Sequence, residues 1–192
     1  MDAMDEQRIR ILEATIEVVS RYGVAKTSIG DIAKAAGLSR QTIYSLLKNR
    51  TNILRAAIEY SGEKTHALAE DMLADVPDLA SQLDTIFGVY TVQLYELMHA
   101  QNEVLDISSG VEEFAMDLLE ANHARHAALI ARVLRPFAKE LKEHGLTPTL
   151  LASQVETACR GYKASAGSVA QLKRLLAAQK KLVLLAVGHP PK

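Results

Sequence analysis

One cysteine, Cys159, stands in a chain of 192 residues, so no internal disulfide can form and a disulfide-stapled secreted scaffold is excluded. The paired cysteines of a zinc or thiol-redox motif are absent as well. Long apolar runs are missing. The nearest, Leu182 to Val187, is far short of the ~18 residues that a membrane helix needs. There is no tryptophan, proline occurs five times, glycine is sparse, and no stretch alternates apolar and polar residues as a half-buried strand does. The phosphate-cradling glycine loop and the hydrolase nucleophile elbow are lacking too, so neither an enzyme nor a bound cofactor is expected. The opening Met1, Asp2, Ala3, Met4, Asp5, Glu6 is acidic rather than a basic lead into an apolar segment, and the expected location is cytoplasmic, away from any membrane.

What remains is an all-α pattern with an uneven charge. The net charge is −1, but residues 20 to 55 hold Arg21, Lys26, Lys34, Arg40, Lys48, Arg50 and Arg55 against the single acid Asp31, a net of +6. The rest of the chain, with 15 bases and 22 acids, is then −7. A basic head on an acidic body is the charge pattern of a protein whose one end meets nucleic acid.

Helices are expected over about 6–22, with Ile9, Leu12, Ile16 and Val19 facing a core and Gly23 as the stop. In TSIGDIAKAAGLSRQTIYSLL, Ser28 and Asp31 form a capping-box start, Gly37 permits a left-handed turn, and Ser39 caps a second short helix ending near Leu47. Further helices are expected over about 49–73, 78–100, 112–144 with a kink at Pro136, 149–165 and 168–187, followed by a loose tail 188–192. Two short helices about a glycine turn make a helix-turn-helix, whose second helix enters the major groove with its first residues at base edges. Those residues are Arg40, Gln41 and Thr42, which suit guanine, adenine and the thymine methyl. Thr27, Ser28, Ser39, Tyr44, Lys48 and Arg50 suit phosphate contacts.

The ordered run IAKAAGLS, the following Tyr44 and the basic Lys48 and Arg50 resemble the TetR family of transcriptional regulators over about residues 8 to 58. The resemblance implies Ile32, Ala33, Gly37, Leu38 and Ile43 as framework and the nine polar residues above as the DNA face. It also implies a homodimer built on the last two helices and repression of operator double-stranded DNA that a small-molecule effector releases. Leu46, Leu47, Thr51 and Gly30 depart from the family's usual residues. The domains expected are a DNA-binding head, 1–48, and a ligand-binding and dimerisation body, 49–192.

On the body, Leu151, Val155, Ala158 and Tyr162, and Val169, Leu172, Leu176 and Val183, form two apolar stripes that fit either a dimer seam or an internal core seam. Phe87, Tyr90, Leu94, Met98, Phe114 and Met116 are candidate walls of a pocket for an apolar or amphipathic ligand, with ordinary core packing as the alternative. His123 and His126 fall on the otherwise apolar stripe Leu119, Ile130, Val133, Phe137 and would form either that pocket's polar end or ordinary satisfied core histidines. Glu-x-x-His occurs at Glu63/His66, Glu96/His99 and Glu120/His123, the spacing of dimetal carboxylate bundles. The leading expectation carries no metal. Control by a metal ion or a protein partner, or a metal-carboxylate helical enzyme, are the alternatives.

Overall fold

The computed structural model describes residues 3–99 and 107–188; the expected loose tail from His189 on lies outside them. The described residues hold ten α-helices and no strand. In order these are α1 (Ala3–Lys26), α2 (Ile29–Ala36), α3 (Arg40–Leu47), α4 (Arg50–Leu73), α5 (Leu79–Phe87), α6 (Gln93–His99), α7 (Ile107–Leu134), α8 (Ala138–Glu143), α9 (Pro148–Ser165) and α10 (Val169–Ala186). A π-helical segment, Gly88–Val92, joins α5 to α6, and a 3-10 turn, Arg135–Phe137, stands where Pro136 was expected to kink the chain. The chain divides into two compact units, Met1–Lys64 with Leu97–Ala121, and Thr65–Glu96 with Asn122–Lys192.

The first unit is built on α1, α2 and α3, with Ile11, Leu12, Ile32, Ile43 and Ile53 at its centre. Gly23 (φ 78, ψ 164) interrupts α1 where the glycine stop was expected. The buried face of α1 is one position away from the expected stripe. Ile11, Leu12, Ala14, Thr15 and Val18 are buried, while Ile9, Ile16 and Val19 are partly exposed. Thr15 can face the core because its hydroxyl donates to the Ile11 carbonyl at 2.7 Å, which satisfies the polar atom within its own helix. A smaller cluster, Val24, Leu54 and Ala115, packs beside it with Phe114 and Leu118. At Ala115 the path of α7 is non-helical (φ −143, ψ 25), and Arg55 braces the break by donating to the Phe114 carbonyl at 2.6 Å and to both Asp117 carboxylate oxygens at 2.8 and 2.6 Å.

The second unit buries Leu83, Ile86, Ile130, Leu134, Leu141, Val155, Leu172 and Val183 in one core. Tyr95 joins two of its layers by donating its hydroxyl to the Ala166 carbonyl at 2.7 Å. Val155, Leu172, Leu176 and Val183 are buried inside the protomer, and Leu151, Tyr162 and Val169 pack against the same core. The two stripes on α9 and α10 therefore serve the internal seam of the chain. The large apolar side chains these helices leave exposed are Leu150, Leu182 and Leu185.

Candidate nucleic-acid interface and effector site

Local capping chemistry shapes the helix-turn-helix. The Ser28 hydroxyl accepts the Asp31 N–H at 3.2 Å, and the Asp31 carboxylate accepts the Ser28 N–H at 3.2 Å, closing a capping box. The Ser28 hydroxyl also donates to Asp31, and these bonds hold that carboxyl below its ordinary range. Gly37 (φ 63, ψ 35) ends α2 in the left-handed region, where a Cβ is disfavoured. Arg10 donates to the Ala36 carbonyl at 2.7 Å, satisfying a free acceptor at the helix end. Ser39 then caps α3, accepting the Thr42 N–H at 3.0 Å and sharing a 2.9 Å hydroxyl contact with Thr42.

Ile43 and Leu47 anchor α3 in the core, which leaves Arg40, Gln41, Tyr44 and Lys48 on its exposed face, at the spacing that brings residues onto one side of a helix. Thr42 is half-buried. Gly30 makes room on α2 for Arg40: a Cβ there would lie 2.5 Å from an Arg40 guanidinium nitrogen. Lys48 has φ 64 and ψ −58, and the Asn49 N–H donates to the Leu47 carbonyl at 2.8 Å across it. That is a γ-turn centred on a residue with a Cβ, a strained arrangement. It ends α3 abruptly and sets Lys48 at the end of the exposed face, and Asn49 caps α4 by accepting the Asn52 N–H at 2.8 Å.

Two residues expected at the DNA face are occupied elsewhere. Thr27 is buried and donates its hydroxyl to the Gly23 carbonyl at 2.7 Å. Arg50 donates to the Thr27 carbonyl at 3.0 Å and to the Val24 carbonyl, clamping the start of α4 to the turn after α1. Ser28 and Ser39 are exposed, and their hydroxyls cap helices.

The expected pocket set is divided. Phe87, Tyr90, Leu94, His123 and His126 belong to the second unit, and Met98, Phe114 and Met116 to the first. Leu94 and Met116 are exposed, Phe114 packs in the small core beside Ala115, and Phe87 lines a groove of about 400 Å³ between α5, the π segment and α10. The two histidines do turn inward. His126 is buried, and its ring stacks on Tyr90 at 4.5 Å between centroids with 5° between planes. Burial, then the charge of Lys163, then His123 pull the His126 pKa down to about 3. His123 Nδ1 lies 2.7 Å from Glu156 Oε1, and burial followed by the charges of Arg160 and Lys163 lowers its pKa to about 4. Burial raises Glu156, whose other oxygen meets Arg160 Nε at 3.2 Å. The Tyr90 hydroxyl is 2.7 Å from His66 Nδ1, and burial with the nearby Glu70 charge pushes its pKa up to about 12.

Glu156, Arg160 and Lys163 were not among the candidates read from the sequence, and His66 was a candidate only as half of a Glu-x-x-His pair. The signal for Glu156 and Arg160 was a Glu–Arg pair at four-residue spacing on α9, which in sequence looks like any solvated helix face. At two of the three pairs the Glu-x-x-His spacing does not describe the contacts: His123 faces Glu156 rather than Glu120, and His66 lies by Tyr90 and 3.6 Å from Glu70. No group of three His, Cys, Asp or Glu among the described residues is placed to hold a metal ion.

Residues 11–57 match the model of the bacterial regulatory proteins of the tetR family. The HTH-type transcriptional regulator TtgR of Pseudomonas putida is 28% identical over 129 residues, 65% of this chain and 60% of that protein. The chain thus spans about 60% of the length of that curated relative. A TetR-family transcriptional regulator from Rhodococcus sp. shares the fold with a TM-score of 0.70 at 21% identity, over 93% of this chain and 99% of its own. A transcriptional regulator from Saccharomonospora viridis, solved in complex with choline, shares it with a TM-score of 0.64 at 22% identity, over 91% and 95% of the two chains. Over residues 11–57 the capped helix-turn-helix thus matches the tetR family of bacterial regulatory proteins, and the chain shares the fold of regulators solved from that family.

Proposed function

We propose that the protein is a dimeric, sequence-specific DNA-binding repressor that a small molecule bound in its helical body releases from the operator. The observation that carries this reading is the face of α3 on which Arg40, Gln41, Tyr44 and Lys48 are exposed, within a window of net charge +6. Arg40, Gln41 and the edge of Thr42 read bases, and Tyr44 and Lys48 hold phosphates. Ser28 and Ser39 act chiefly by exposing the N-termini of α2 and α3, whose free N–H groups favour phosphate oxygens. Arg50 and Thr27 support this surface from behind. Residues 1–48 read DNA and residues 49–192 sense the effector and dimerise.

Dimerisation follows from the reading unit: one head covers one half-site, so an operator with two half-sites takes two protomers. Because the inner stripes of α9 and α10 are spent on the protomer's core, the contact is assigned to their outer faces, with Leu182 and Leu185 at its centre. By linkage, an effector that weakens operator binding is itself bound more weakly, by the same factor, on the operator complex.

The test is binding of the purified protein to fragments of its own upstream DNA over a salt series, with Tyr44→Ala and Lys48→Ala beside the wild type. A specific complex with two protomers per site is expected, weakened by both changes, with the salt slope reduced by about one for Lys48→Ala. Absence of a specific complex on every upstream fragment refutes the reading.

A further inference from the structure

Helix α9 carries Glu156, Cys159, Arg160 and Lys163 at three- and four-residue steps, so all four lie toward one side of it. Facing them, α7 presents His123 and His126 one turn apart, and the π segment presents Tyr90, stacked on His126. A π segment shifts the register of every residue after it, and such segments gather at functional sites.

The hydrogen bonding of this cluster is incomplete. His126 is 5% exposed, and its Nε2 has no hydrogen-bond partner among the described residues. Buried polar nitrogens are nearly always partnered, so an orphan asks for a missing acceptor or donor. The Lys163 ammonium has no ion pair or hydrogen bond among the described residues, and burial lowers its pKa. Its charge nonetheless acts on His123, His126, Glu156 and Cys159, which places it among them. Glu156 meets Arg160 through Oε2, while its Oε1, 2.7 Å from His123 Nδ1, makes no hydrogen bond among the described residues; Glu70, whose charge acts on Tyr90, is paired with Arg132. On this face of α9 the cations Arg160 and Lys163 thus stand against the single carboxylate Glu156, and a half-buried cation without a counter-charge is costly.

We propose that this cluster recognises the carboxylate of a small organic anion, with Lys163 supplying the opposite charge, His126 Nε2–H donating a second hydrogen bond, and the stacked Tyr90 and His126 rings bordering the ligand's apolar part. The proposal rests on the effector reading above and gives that effector a chemical class. A cationic ligand is disfavoured by Lys163 and Arg160 together. A neutral amide or alcohol leaves the excess charge unanswered. Because the His126 ring stays uncharged near pH 7, the site offers one net charge, which suits a monoanion.

The experiment is calorimetric titration of the full chain with sodium benzoate and with straight-chain carboxylates from butyrate to decanoate. Matched amides and inorganic chloride and phosphate serve as comparison arms. Lys163→Met removes the charge and keeps the stem, His126→Phe keeps the stacked ring and removes its nitrogens, and the exposed Lys181→Met is the control. At least one carboxylate is expected to bind the wild type about tenfold or more tighter than its amide. Lys163→Met should abolish that preference, His126→Phe should weaken binding about tenfold, and Lys181→Met should change nothing. Free Lys163→Met should melt at or above the wild-type temperature, which also shows that it folds.

A series in which no carboxylate outbinds its amide, or a Lys163→Met protein that binds as the wild type does, overturns the proposal. So does chloride or phosphate binding as tightly as the best carboxylate. Operator affinity is measured separately with the same probe. A carboxylate that binds through Lys163 and leaves operator affinity unchanged upholds this site and refutes the effector reading instead.

Discussion

Lys48→Gly should make the protein more stable while weakening its hold on DNA. With φ 64 and ψ −58, Lys48 occupies the centre of a γ-turn whose hydrogen bond runs from the Asn49 N–H to the Leu47 carbonyl. For a residue with a Cβ, such a conformation costs of order 1–3 kcal/mol. Glycine removes the Cβ clash, but its greater freedom in the unfolded chain returns roughly 0.5–1 kcal/mol. The net expectation is a gain of about 1 kcal/mol, or roughly 2–4 °C in Tm for a chain of this size. Lys48→Ala isolates the strain: it removes the same ammonium from an exposed position and keeps the Cβ, so its stability should stay within about 0.5 kcal/mol of wild type. Urea denaturation of all three proteins gives the midpoints, and fluorescence anisotropy on an operator fragment gives the affinities. Both variants should bind DNA more weakly than the wild type. A glycine variant no more stable than the alanine variant would show that the turn stores no strain and that Lys48 sits there for its side chain alone.

Arg50→Ala should destabilise the chain by roughly 2–3 kcal/mol, because the Thr27 and Val24 carbonyls both lose a charged donor; Arg50→Lys should recover little, since an ammonium cannot replace a guanidinium that reaches two acceptors at once. Chemical denaturation checks this, and unchanged stability together with lost operator binding would return Arg50 to the DNA face. Acid should weaken the second unit. The folded pKa values of His126 and His123, about 3 and about 4, lie below the ordinary 6.5, so the unfolded chain takes up protons first as pH falls. Their contribution is complete above pH 6.5 and is lost progressively below it, with His126 alone costing on the order of 2 kcal/mol at pH 5. Glu156, whose folded pKa is raised, offsets part of this, because the folded state binds its proton more readily. Thermal melts from pH 7 to 5 should therefore fall, and fall less in His126→Phe; identical slopes for the two proteins would place the acid sensitivity elsewhere.

The parts of this structure that could be read in advance are those decided by neighbours in sequence. Ser28 with Asp31, Gly37, and Ser39 with Thr42 each act within four residues, and the ends of α2 and α3 fell where those residues put them. Where the deciding partner is distant, periodicity alone was ambiguous. Val155 and Val183 have the spacing of a dimer seam and equally that of a core seam, and only the packing of α9 against α10 within one chain assigns them to the core. Residue chemistry was ambiguous in the same way. A guanidinium or a hydroxyl suits a phosphate oxygen and a backbone carbonyl alike, so Arg50 and Thr27 looked like DNA contacts until the carbonyls of Val24, Thr27 and Gly23 were seen to occupy them. His123 and His126 show the opposite case. Two polar rings on an apolar stripe cannot both be answered by their own helix, so their presence already required partners from another element, and α9 supplies Glu156 to one of them. The other ring's Nε2 has no such partner among the described residues, and the ligand proposed for this body is the group that would complete it.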